Sequence, residues 1–505
     1  MMAAGRFLPN EGIVPLSDVP QLAVSELRQC VLADIDDGAR LVALFGCPSN
    51  ATLRLFAVLA HQKLGQLSVA STKVTGSYPA LTPECPEAHL FEREIYEQWG
   101  VEPTGHPWLK PVRFESRRKW EGARPHAANQ SAVCGEIDFF QVEGEEVHEV
   151  AVGPVHAGVI EPGHFRFQCH GETVQHLEIS LGYQHRGIED AVVRDSGKRT
   201  LHYMETLAGD TTIGHTTAYC RNVEALTGTD LSARAEAIRG IALELERMAN
   251  HIGDLGALAG DIGFLPTLSY CGRIRGDLLN LTALLCGNRF GRSLIHPGGV
   301  NYDVDEEIAE IMRERLQSIW RDAKSAVDLL WRSSSVLARF EGVGALDSDT
   351  AQAIGLVGVA ARACGLPRDV RQSFPYGIYK KAHIPMAIGQ NGDVMARALV
   401  RWQEIEHSTA FVLDQLDSLP SGSPSVRIGK FPQESHLAVS LVEGWRGEIC
   451  HVALTRQADH YQGYKVIDPS FHNWFGLALA LRNQQISDFP LCNKSFNLSY
   501  CGHDL

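Results

Sequence analysis

No C-x-x-C pair occurs anywhere in the 505 residues, although the chain carries twelve cysteines. Iron–sulfur clusters, zinc ribbons and nickel–iron centres favour closely spaced thiolates, so the spacing speaks against such a centre held by paired cysteines of this chain. The twelve, scattered from Cys30 to Cys501, read mostly as buried, reduced thiols that behave as small hydrophobes. Long apolar runs are missing too. The nearest, Ala351–Leu366, is interrupted by Gln352, Arg362 and several glycines, which excludes a membrane span within it. The start, MMAAGRFLPNEGIVPLSDVP, lacks the apolar core of a signal peptide, so the expected compartment is cytoplasmic. Nor is there a basic excess: the formal net charge is −14, which excludes a general nucleic-acid partner. G-x-G-x-x-G after a strand, G-x-x-x-x-G-K-[ST], G-x-S-x-G and H-E-x-x-H are all absent. If NAD serves the system, other subunits bind it.

What is present is the composition of a folded globular protein, 44% hydrophobic and 21% charged, long enough for two or three domains. The expected class is α+β. A small N-terminal α/β domain (1–115) and a linker (116–149) precede a large domain (150–505), which has a β-hairpin or sheet at its start, a central long-helix bundle and a C-terminal β-containing region. In the first unit the pattern predicts a helix over Ser25–Asp36, a strand over Arg40–Phe45, an apolar helix over Ala51–Lys63 and a strand over Leu67–Lys73. His89–Trp99 reads as a helix ended by Gly100, with Gly105-His106-Pro107 forcing a turn.

In the large unit, Leu201–Leu226, Asp230–Gly263, Ile274–Cys286, Glu306–Phe340, Ala351–Cys364 and Val394–Leu416 read as helices of a bundle. Asp230–Gly263 is the clearest, with Ile238, Ile241, Leu245, Met248, Ile252, Leu255 and Ala259 forming one apolar stripe. Beside it runs an ionic stripe, Glu244, Arg247, His251 and Asp254, which is either a solvated flank laced by pairs or the floor of a buried interface. Strands over Val439–Val442, Glu448–Leu454 and Tyr464–Ile467, a helix over Asn473–Arg482 and an unstructured tail, Leu491–Leu505, complete the expectation.

The stretch Gly153–Asp190 opens with a loop rich in glycine and histidine, continues through two alternating runs, Phe165–Gln168 and Val174–Leu181, and ends in the turn His185-Arg186-Gly187. Glycines let backbone approach a ligand closely, and His156, Glu161 and His164 are residue types that handle protons beside a redox centre. A hairpin with exposed histidines at a domain edge fits the same spacing.

Two blocks resemble a known family. ECPEAHLFEREIYEQWGVEPTGHPWLKP is similar to the signature of the small peripheral-arm subunit of respiratory complex I. GPVHAGVIEPGHFRF through LGYQHRGIED resembles the quinone-site large subunit of complex I and, more closely, the large subunit of energy-converting membrane-bound nickel–iron hydrogenases of the formate-hydrogenlyase type. GHTTAYCRNVEAL, ELERMANHIGDLGALAGDIG and EGWRGE…YKVIDPSFHNW agree, as does the order of the two fused parts.

The resemblance implies an oxidoreductase subunit beside a [4Fe–4S] cluster in a small iron–sulfur partner, attached peripherally to the membrane through membrane-arm subunits. Electrons would come from NADH, formate or ferredoxin through other chains. The family's nickel–iron ligands are two cysteine pairs. Here the first pair falls on Ala208 and Thr211, and of the second only Cys501 is well placed, with Leu498 near its partner's position. Nickel–iron binding is therefore not expected. The quinone-holding His and Tyr of complex I fall on Pro162 and Gly209, so a quinone would be held differently, if at all. By resemblance Glu161, His164 and His215 are the catalytic candidates, and Arg247, His251, His185, Arg186, Pro162 and Gly209 the positions around the cofactor. An open, lined cavity would mark a redox subunit, and one filled by side chains a structural coupling subunit. A metal site from Cys492, Cys501 and His503 is a further alternative.

Overall fold

The structure is a computed structural model that describes residues 5–121, 133–195, 197, 199–432, 434–457 and 460–505. The fold is α+β. A five-stranded sheet forms first, in the order Arg6–Leu8, Gln66–Val74, Thr52–His61, Arg40–Ser49, with Gln21–Leu22 added parallel to Gln66–Val74. The helices Val24–Asp36 and His89–Trp99 pack on it. Gly100 closes the second helix at φ +70, its N–H donating to the Tyr96 carbonyl at 2.9 Å, a conformation that costs glycine little.

The stretch 51–63 is a strand, Thr52–His61, not a helix. It lies between two antiparallel partners and is buried on both faces, so its apolar residues do not alternate, and a short unbroken apolar run carries no period to separate helix from strand.

A second antiparallel sheet, Val147–Val152, His164–His170 and Thr173–Ser180, shares a core with the C-terminal helices: Phe165, Phe167 and Leu177 pack with Trp474, Phe489 and Tyr500. Of the expected linker, residues 122–132 lie outside the described residues.

The helical layer is centred on Ala233–Asp261, flanked by Leu265–Cys286 and Val394–Asp417. Its N-cap is Ser232, whose hydroxyl accepts the Ala235 N–H at 3.1 Å. Leu201–Leu226 is interrupted between Arg199–Glu205 and Thr212–Thr227, Glu306–Phe340 between Glu306–Trp331 and Ser334–Phe340, and Ala351–Cys364 between Ser348–Ala353 and Gly358–Ala363.

A third sheet orders His460–Ile467, Glu448–Gln457, His436–Glu443 and Gly12–Pro15, so a strand from the start of the chain completes a sheet from its end. Thr212–Thr227 lies across this sheet. Leu491–Leu505 is not unstructured. Phe489–Phe496 and Tyr500–Asp504 are helices, and Leu505 is buried. Their order comes from distant partners: the Asp504 carboxylate accepts the N–H of Gly182 at 2.9 Å and of Gln184 at 2.8 Å. Among the described residues no helix is long and apolar enough to cross a membrane.

Candidate functional site

A cleft of about 510 Å³ opens where the loop after Val147–Val152, the turn before Thr212–Thr227, the central helix and the C-terminal segment meet. Glu161, Gly209, Asn250, Asp254 and Cys501 stand on its walls. Glu161 Oε2 accepts the Cys501 N–H at 3.0 Å, which ties the loop to the C-terminal helix. A Cβ added to Gly209 would meet nothing within 4 Å, so this position leaves space in the cleft.

Behind Gly209, Arg446 grips Asp210 through both nitrogens, at 2.6 and 2.8 Å. It also lies over the Trp445 ring, 3.9 Å from its centroid. Burial alone would raise the Asp210 pKa, but the Arg446 charge and hydrogen bonds hold it below the usual carboxylate value. Asp254 is engaged as well, by Arg401 Nε at 2.8 Å and Asn497 Nδ2 at 2.5 Å.

His215 is fully buried and does not line the cleft. It belongs to a hydrogen-bonded chain. Its Nε2 donates to Asp468 Oδ2 at 3.0 Å, its Nδ1 lies 3.1 Å from His451 Nε2, and His451 Nδ1 lies 2.9 Å from the Tyr464 hydroxyl. Burial, then the neighbouring His215, pushes His451 far below the ordinary histidine value. Asp468 is held low: burial opposes ionisation, and the His215 hydrogen bond and charge outweigh it. One end of the chain reaches Tyr464, on the wall of a second cavity of about 790 Å³. The other end, Asp468, lies directly behind Gly502, where an added Cβ would come 2.7 Å from the carboxyl, one residue from Cys501 on the cleft wall.

Arg247 and His251 are sealed inside the chain. Arg247 donates to Glu244 Oε2 (2.9 Å) and to the carbonyls of Glu443 (2.7 Å) and Gly444 (3.0 Å). His251 Nε2 meets Glu404 Oε2 at 2.7 Å, and its Nδ1 is buried without a hydrogen-bond partner among the described residues. Around them Arg362 and Arg371 bridge Glu404, Glu443, Asp369 and Glu244. The ionic stripe is thus no solvated flank: Glu244, Arg247 and His251 are fully buried and Asp254 nearly so.

His185 and Arg186 hold the C-terminal residues. His185 Nδ1 lies 2.8 Å from the Asp504 carbonyl, and the N–H groups of Arg186 and Gly187 donate to the Leu505 carbonyl at 2.8 and 3.0 Å. His164 and Pro162 are not among the residues lining the cleft. The His164 ring accepts from Arg166 Nε at 3.3 Å and tilts against Phe139, and burial, then Arg166, lowers its pKa.

Sequence reasoning missed Asp210, Arg446, His451, Tyr464 and Asp468. Arg446, Tyr464 and Asp468 sit inside motifs already quoted, in EGWRGE and YKVIDPSFHNW, but no local pattern joins Asp468 to His215, 253 positions earlier.

The donor set does not fit a nickel–iron centre. Cys501 is the one thiol among the residues lining the cleft, where four thiolates are needed, and Ala208, Thr211 and Leu498 supply none. Cys492 faces Arg397 and His503 pairs with Asp504, and among the described residues no three His, Cys, Asp or Glu side chains, these two and Cys501 included, come together as a metal site.

Comparison with known proteins gives the same outline. The family pattern described as respiratory-chain NADH dehydrogenase, 49 Kd subunit, matches residues 261–436, and that of the 30 Kd subunit matches 29–127. The carbon monoxide-induced hydrogenase of Rhodospirillum rubrum is 30% identical over 352 residues, covering 69% of this chain and 97% of that protein. The chain belongs to this family. Formate hydrogenlyase subunit 5 of Escherichia coli is 29% identical over 441 residues, 84% of this chain and 76% of the relative. A subunit of the NADH-quinone oxidoreductase of Bacteroides thetaiotaomicron is 29% identical over 454 residues, 79% and 83% of the two chains. The chain is thus a complex I 49-kDa/30-kDa-like subunit of the hydrogenase and NADH-quinone oxidoreductase type.

Proposed function

We propose that the chain is an electron-transfer subunit of a membrane-associated complex, with 1–115 as the small-subunit-like part, 116–149 as the linker and 150–505 as the large-subunit-like part. It docks a small iron–sulfur subunit whose [4Fe–4S] cluster delivers electrons to the cleft, and it rests on membrane-arm subunits at the cytoplasmic face. NAD, where used, binds other chains. The acceptor is a small molecule or a quinone held without the usual His and Tyr.

The open cleft carries this reading. A subunit reduced to structural coupling has no need of about 510 Å³ of space lined by ionisable side chains. Glu161 exchanges protons at the cleft, and the Tyr464–His451–His215–Asp468 chain, its three links within hydrogen-bond reach, leads from the second cavity to Asp468 behind the cleft wall. Arg247 and His251 act on the neighbouring cluster only through space, by the field of the buried ionic group. His185 and Arg186 set the C-terminal segment that forms one wall, and His164 is a candidate proton carrier on the sheet outside it.

The test is to purify the intact complex and measure nickel, iron and extractable quinone together. Iron without nickel is expected. About one nickel per chain would overturn the reading.

A further inference from the structure

The charged groups around the cleft do not simply cancel one another. Its three carboxylates already have partners: Asp210 has Arg446, Asp254 has Arg401 and Asn497, and Glu161 has the Cys501 N–H. Two further cations line the same space, Arg275 and Lys494. Neither forms a hydrogen bond or ion pair among the described residues. Lys494 feels Asp261 only at longer range.

The fold makes room for one of these cations. The stem of Arg275 crosses Gly253 on the central helix so closely that an added Cβ would come 2.8 Å from its Cδ. Gly253 therefore lets the guanidinium lie over the cleft. Phe290, Tyr500 and Val159 give the same cleft apolar surface.

An unpaired guanidinium and an unpaired ammonium on the walls of one cleft attract an anion, and the guanidinium's parallel N–H groups match a carboxylate. The three carboxylates on the same walls disfavour a dianion. Resting on the reading of the cleft as the reaction site, we infer that its substrate is a small monocarboxylate, bound through Arg275 and Lys494 with its uncharged body against the apolar wall.

The test uses the intact purified complex and three probes: benzoate, its neutral isostere benzamide, and inorganic phosphate, followed by calorimetry or saturation-transfer NMR. Benzoate is expected to bind at least tenfold more tightly than benzamide, and phosphate more weakly than benzoate. Arg275→Gln and Lys494→Gln are each expected to weaken benzoate tenfold or more while leaving the melting temperature unchanged, because neither side chain holds the fold together.

Equal binding of benzamide, tighter binding of phosphate, or unchanged benzoate affinity in both variants overturns the inference. So does an absence of benzoate binding, which would make the two cations a contact for a neighbouring subunit. Decylubiquinone binding in the cleft alongside a benzoate failure would leave the redox reading intact. Nickel in the complex would remove that reading whatever benzoate does.

Discussion

Arg446 and Asp210 form a two-point ion pair at the back of the cleft, 2.6 and 2.8 Å between paired atoms, with the arginine buried and the carboxylate side chain 33% exposed. The pair orients the turn that carries Gly209 and the N-terminus of Thr212–Thr227, so the shape of the cleft depends on it.

Arg446→Met is expected to destabilise the chain by roughly 2 kcal/mol, less than for a fully buried pair because water screens the open side of Asp210. The Asp210 pKa is depressed in the folded state. Its contribution is therefore complete above the unfolded value of about 3.9 and lost as pH falls through the folded value. Urea midpoints of wild type and variant should differ at pH 7 and converge in strong acid.

Glu404 accepts from Arg362, Arg371 and His251 at once, with no exposure to water. Glu404→Gln keeps the shape and removes the charge, leaving two buried guanidiniums short of a partner. The expected loss is about 3–5 kcal/mol, seen as a large drop in melting temperature or as failure to accumulate folded protein. A melting temperature within a degree of wild type would show that the network holds without this charge.

Acid should weaken the fold through its buried histidines. Burial pushes His472 down to about 3, and His451 is also far below the ordinary histidine value of 6.5. The unfolded chain takes up these protons near pH 6.5 while the folded chain does not, so stability is full above that pH and declines below it. Each such histidine contributes roughly 1.4 kcal/mol per pH unit across the interval. His472→Gln should make the decline between pH 6 and pH 4 shallower in denaturant titrations.

Two glycines separate space from contact. Gly209→Tyr meets no neighbour at Cβ, so it should fold with a stability change under about 1 kcal/mol and reduce the cleft volume. Gly358→Ala puts Cβ 2.2 Å from the Arg446 carbonyl at φ +62, where strain and overlap should together cost more than about 2 kcal/mol. Thermal melts of the pair check the contrast.

Local pattern in the chain carries the helix Ala233–Asp261 with its apolar stripe, the helix His89–Trp99 stopped by Gly100, the strands around Phe165–Leu181 and the α+β class, because a period of 3.6 or 2 and a left-handed cap are written within a few residues. Glu161 and Gly209 could be placed at one site only through their motifs. The strand at 52–61 and the ordered C-terminus could not be read locally: one is buried on both faces, and the other is held by Gly182 and Gln184 more than 300 positions away. Tertiary packing alone decided that the Glu244–His251 stripe is interior, that His215 faces Asp468 and His451, and that Arg275 and Lys494 share one cleft. Those are pairings between distant segments, and their energies come from burial and charge in three dimensions, which leave no period along the chain.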